Sequence, residues 1–139
     1  MAFDYLTAGS IGPLGVGMPR AEVRSCLGGE FRTFKKTFLS SNTLDAFDHH
    51  AVHIYYDDAD LVKGVELFSP VNFFWRGKRL LGESYAELKK YLAHQGVVFS
   101  SDDFGVEVDA LGMGFYIPDI SDDGDFAEVK SVYIDLTVG

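Results

Sequence analysis

Gly12-Pro13-Leu14-Gly15-Val16-Gly17-Met18-Pro19-Arg20-Ala21-Glu22-Val23-Arg24-Ser25-Cys26-Leu27 decides how the chain is read, because Gly77 through Leu92 echoes it at a constant offset, 12 to 77 and 27 to 92. Gly12 answers Gly77, Val16 answers Leu81, Ala21 and Glu22 answer Ala86 and Glu87, Val23 answers Leu88, and Leu27 answers Leu92. Working outward, Val52-His53-Ile54-Tyr55-Tyr56 answers Met113-Gly114-Phe115-Tyr116-Ile117, and Gly64-Val65-Glu66-Leu67 answers the strand beginning near Lys130. The offset changes between blocks, so the copies differ in their loops. An internal repeat of this kind sets the architecture before any other assignment. The reading is α+β: two pseudo-repeats of a helix plus an antiparallel meander, about 12–69 and 77–136, sharing one core. They form a single domain, 1–139, joined by an aromatic-rich linker, 70–76.

The first helix is expected from Pro19 to Leu27, with proline tolerated in the first turn and Gly28-Gly29 ending it. Its core face is read as Val23, Cys26 and Leu27, with Glu22 and Arg24 outward. In the second copy Ser84 stands three residues before Glu87, the spacing of a capping box, and Gly96 closes the helix. Tyr85, Leu88, Tyr91 and Leu92 make its apolar face. Strands are expected at Phe3–Leu6, Phe31–Phe38, His50–Tyr56, Lys63–Phe68, Val97–Phe99, Gly105–Asp109, Gly112–Ile117 and Glu128–Leu136, with residues 40–47 a loop. The alternation along 129–136 suggests a sheet with one face under the helices.

The chain has 139 residues, 47% of them hydrophobic and 14% aromatic, enough for one sizeable core and too few for two independent domains. Neither a basic, apolar leader nor a membrane span is visible, and Cys26 is the only cysteine. It reads as a reduced, buried thiol of a cytoplasmic protein. The net charge is −9, and residues 97–139 carry ten acids against Lys130 alone. That field repels nucleic-acid phosphates and anionic membranes and attracts a basic protein surface.

Two segments stand out as contact candidates. Phe73, Phe74, Trp75 and Arg76 lie where the halves join; they read either as a strand packed across the join or as partner anchors, since aromatic residues and arginine dominate interface hot spots. Asp119, Asp122, Asp123 and Asp125 crowd one loop that suits a basic partner. Asp119, Ser121, Asp123 and Gly124 also match the opening of a calcium loop, but Lys130 stands where its bidentate glutamate belongs. His49, His50 and His53 are the remaining cluster. In one strand His49, His53 and Asp57 would share a face yet spread too far for one metal shell. No catalytic residue, metal or cofactor is assigned. The glycine-rich entry lacks the Lys-Ser/Thr of a phosphate-binding loop.

Gly17-Met18 before Ala21-Glu22-Val23 and Leu27-Gly28, echoed by Gly82-Glu83 before Ala86-Glu87-Leu88 and Leu92, resembles the tandem architecture of the β-lactamase-inhibitory proteins. In size, acidity and aromatic content the chain also resembles the small acidic immunity proteins of bacterial toxin systems. The resemblance implies a non-enzymatic protein-binding module that neutralises a basic toxin or enzyme. A small metal-dependent hydrolase using the His49/His50/His53 region and a structural dimerisation domain, a homodimer, are the alternatives.

Overall fold

The computed structural model describes residues 1–139, and the fold is α+β. Strand β1 (Ala2–Tyr5) leads into a tight hairpin, β2 (Ser10–Ile11) and β3 (Leu14–Gly15). Gly12 turns it at φ 55°, and a Cβ there would stand 3.1 Å from the Ala2 carbonyl oxygen, so a side chain at this position would be both strained and crowded. Helix α1 (Arg20–Leu27) follows, with Pro19 as its N-cap and Gly28 ending it at φ 67°. Its buried stripe is Arg20, Val23 and Leu27. Position 26 falls to one side of that stripe, so Cys26 is exposed, against the expectation of a buried thiol.

The chain then runs through β4 (Arg32–Phe34), β5 (Leu44–Phe47), a 3-10 turn at Asp48–His50, β6 (Val52–Tyr56) and β7 (Val62–Phe68). Strands β8 (Asn72–Trp75) and β9 (Lys78–Arg79) lead to α2 (Tyr85–His94), where the Ser84 hydroxyl accepts from the Glu87 amide at 3.2 Å. Next come β10 (Ser100–Ser101), β11 (Gly105–Val108), a 3-10 turn at Asp109–Leu111, β12 (Met113–Tyr116), the short helix α3 (Ile120–Asp123) and β13 (Ser131–Asp135). No helix is long and apolar enough to cross a membrane.

Eight strands form one sheet in the order β10-β11-β12-β13-β7-β6-β5-β4, every neighbouring pair antiparallel. Because side chains alternate along a strand, register assigns them to two faces. One face carries the rows Ile54, Val65, Ile134, Met113, Val108 and Phe47, Val52, Leu67, Val132, Phe115, Val106, all of them buried. These pack with Val23 and Leu27 of α1 and Leu88 and Leu92 of α2 in one core. The segment around Phe73 belongs to that core: β8 pairs in parallel with β1, matching Phe73 to Phe3 and Trp75 to Tyr5. Phe73 and Trp75 are buried, with Trp75 edge-on to Tyr91 at 5.9 Å.

Residues 40–47, expected as a loop, contribute β5, which is buried along its whole length. Its Asp45 is fully buried and takes Arg20 Nη1 at 3.1 Å, Arg24 Nε at 2.9 Å, Thr33 Oγ1 at 2.8 Å and the Tyr56 hydroxyl at 2.9 Å. Arg20 also donates through Nη2 to Asp60 at 2.9 Å and stacks on Tyr56 at 4.0 Å. Arg24 therefore turns inward and not, as its helical position suggested, to solvent. Burial opposes charge on Asp45, yet hydrogen bonds from Arg24, Thr33 and Tyr56 outweigh it and hold the carboxyl below the ordinary range. No buried side-chain nitrogen or oxygen lacks a partner, so this network is a closed fastening of α1 to the sheet.

Candidate functional site

The other sheet face has no helix or strand across it. Its central row runs across all eight strands: Arg32, Ala46, His53, Glu66, Tyr133, Gly114, Glu107, Ser100. Flanking it are Phe34, Leu44, Tyr55, Gly64 and Asp135 on one side and Phe68, Ser131, Tyr116 and Gly105 on the other. All of them but Arg32, Ala46, Gly64 and Ser100 line an open groove of about 870 Å³. The glycines shape its floor. A Cβ at Gly64 would overlap the Tyr133 hydroxyl, one at Gly105 the Phe115 carbonyl oxygen, and one at Gly114 would stand 3.0 Å from both Glu107 carboxylate oxygens.

Its two ends differ chemically. Around β6 and β7 the side chains are packed together: His53 lies between Phe34 at 5.9 Å and Phe68 at 4.6 Å, and Tyr55 meets Tyr133 edge-on at 5.4 Å. Glu66 is satisfied by the Tyr55 hydroxyl at 2.9 Å. Burial pushes the His53 imidazole down, more than Glu66 and Asp48 raise it, which favours its neutral form. Burial, then Glu66, pushes the Tyr55 phenol up, and burial with Asp135 and Glu66 pushes Tyr133 up to about 12. Around β10 to β12 the groove is acidic. Glu107 makes no hydrogen bond or ion pair, and its carboxyl is pushed up by burial and by Asp109 and Asp102. Phe104 and Tyr116, 62% and 50% exposed, stand beside it.

The groove gathers none of the residues singled out from sequence except His53. Phe73 and Trp75 are core residues, which removes them from any contact surface; Phe74 is half-buried, and Arg76 is exposed, stacked on Trp75 at 4.6 Å and donating to Gln95 Oε1 at 3.0 Å. Asp119 caps the N-terminus of α3, Asp122 and Asp123 lie on it and Asp125 on the 3-10 turn after it, beside α2, where Asp125 meets Lys89 Nζ at 3.5 Å. The Asp122 and Asp123 amides both donate to the Asp119 carbonyl, a helical turn where a calcium loop had been one reading. The histidines part company as well. Asp48–His50 form a 3-10 turn closed by Ala51 at φ 54°, so His49 is outside the strand that holds His53. His50 Nε2 lies 2.9 Å from the Leu27 carbonyl oxygen. No group of three or more His, Cys, Asp or Glu side chains is arranged to hold a metal.

Sequence reasoning missed Tyr55, Glu66, Glu107, Tyr116 and Tyr133. Their signal was the polar and aromatic parity of each strand, which marks a second face without saying that the strands lie side by side. No protein-family model, curated protein or solved structure matches the chain.

Proposed function

We propose that the chain is a non-enzymatic protein-binding module of the immunity or inhibitor type, which docks a basic partner on the open face of its eight-stranded sheet. The observation that carries this reading is that face itself: eight strands wide, lined by aromatic rings and backed by a rigid core, with carboxylates that nothing in the chain neutralises. A groove this open encloses too little of a small molecule to match the usual ligand pocket. It suits a protruding protein element instead. Five acids and Lys36 as the one lysine or arginine line it, so complementary charge would steer a cationic surface toward it while Tyr116 and Phe104 supply apolar contact.

A tandem origin supports the same reading. The amides of Gly17 and Gly82 donate to Val62 and Val129, both at 2.9 Å, and those of Arg20 and Tyr85 donate to Asp60 and Ala127. Phe68 donates to Ala51 as Asp135 does to Gly112, and at the join Ser69 donates to Lys130 as Leu136 does to Lys63. Two helix-plus-four-strand units joined at β7 and β13 build a wide face that neither has alone. A cytoplasmic setting goes with it, since an exposed lone thiol persists where thiols are kept reduced.

The test is affinity capture from the native host with three baits: the wild-type chain, Tyr116→Asp with Phe104→Asp, and Phe126→Asp, a far-side control 89% exposed in the wild type. A basic protein held by the first and third baits and released by the second, then reconstituted from purified components, is the expected result. A partner that binds all three baits equally, or is itself acidic, overturns the reading.

A further inference from the structure

We infer that, until a foreign partner displaces it, a second copy of this chain covers the open face, the β4–β5 loop of each copy seated on the acidic corner of the other. This rests on reading that face as a docking surface and adds what occupies it at rest.

The loop holds Lys35, Lys36, Phe38 and Leu39, the one run where adjacent lysines and exposed bulky apolar side chains coincide. Phe38 and Leu39 are 89% and 80% exposed. Their tip is not slack. The Ser40 amide donates to the Thr37 carbonyl at 3.1 Å, the Thr37 amide to Ser40 Oγ at 3.2 Å and the Leu39 amide to Thr37 Oγ1 at 3.2 Å. A tip already ordered in the free chain loses little entropy on docking. Lys36 reaches over the groove, its Nζ 5.3 Å from the Tyr55 ring centre.

The diagonally opposite corner has the complementary chemistry. Asp103 has no partner within the chain, nor has Glu107 further along β11, Asp102 accepts only from the Phe104 amide at 2.8 Å, and Phe104 adds an exposed apolar ring to the turn. The loop leaves the sheet at β4 and β5 and the acidic turn leaves it at β10 and β11, the two ends of the strand order. A two-fold axis in the plane of the face, perpendicular to the line joining these corners, lays each loop on the other copy's acidic corner. The contact is made twice and the assembly closes. The net charge of −9 on each copy opposes the dimer, which keeps it weak enough for a basic partner to replace.

The experiment is sedimentation velocity on purified chain over a concentration series, with two charge-reversed variants whose folding is checked by circular dichroism. Lys35→Glu with Lys36→Glu sets an acidic loop against an acidic corner; Asp103→Lys with Glu107→Lys sets a basic loop against a basic corner. Each alone is expected to dimerise at least about tenfold more weakly than the wild type. Mixed in equal amounts they are expected to form a heterodimer, because both contacts then join opposite charges. A wild type that stays monomeric throughout, variants that dimerise as well as the wild type, or a mixture that fails to associate overturns the inference. None of these outcomes touches the capture of a foreign partner, which needs only a monomer.

Discussion

The two faces of the eight-stranded sheet treat charge in opposite ways. On the helix-covered face one carboxylate, Asp45, is fully buried and meets two guanidinium groups and two hydroxyls. Across the sheet, partial burial and then the carboxylates of Asp109 and Asp102 raise the pKa of Glu107, which has no ion-pair partner. A buried carboxylate survives only when its hydrogen-bonding capacity is filled, whereas an exposed one can wait for a partner at little cost. The covered face therefore holds the fold, and the open face is left with unmet capacity.

Asp45→Asn should break that contrast most sharply. It leaves Arg20 and Arg24 without their buried counter-charge, and a loss of about 3–5 kcal/mol is expected in urea unfolding. The pH dependence has a definite sign. Because the folded Asp45 carboxyl titrates below its ordinary value near 3.9, its stabilisation is fully present above that pH and is lost as the pH falls through the lower folded value. Thermal unfolding between pH 5 and 2 should show this slope in the wild type and a flatter one in the variant.

Gly64→Ala tests the open face where packing, not charge, governs it. The new methyl group collides with Tyr133, and the displaced ring should cost about 1–3 kcal/mol in urea unfolding, making this an open-face position with a core-like penalty. Tyr56→Phe removes one of the bonds to Asp45 and should cost about 1–2 kcal/mol, without change in the self-association measured by sedimentation. Glu107→Gln is expected to move stability least, within about 0.5 kcal/mol, and in the favourable direction. A raised folded pKa means the unfolded chain ionises more readily, so removing the charge relieves the folded state at pH 7. The same variant should weaken sedimentation-detected dimers. A stability loss as large as that of Asp45→Asn would erase the distinction between the faces.

The helices were the most legible elements. Pro19 before Arg20, Gly28 after Leu27 and Ser84 before Glu87 are local signals, each acting within one or two turns. Strand β5 was hidden because Ser40 to Asp45 has the polar composition of a loop, and the residues that make Asp45 tolerable there come from positions 20, 24, 33 and 56. Trp75 and Phe73 looked available for contact because their cover, β1, lies some seventy positions away and joins them in parallel. The groove was the least legible feature. Its members occur at alternate positions on separate strands, and none is conspicuous among its sequence neighbours.

By itself the amino-acid sequence determined the α+β class, the glycine entries, the amphipathic helices and the parity of side chains along each strand, since all of these follow from steric and periodic rules spanning a few residues. Only the tertiary structure decided that Glu107, Tyr133, Glu66 and His53 stand in one row and that Asp45 meets two arginines. Parity chooses a face, but register chooses neighbours, and register across eight strands depends on pairings between distant parts of the chain.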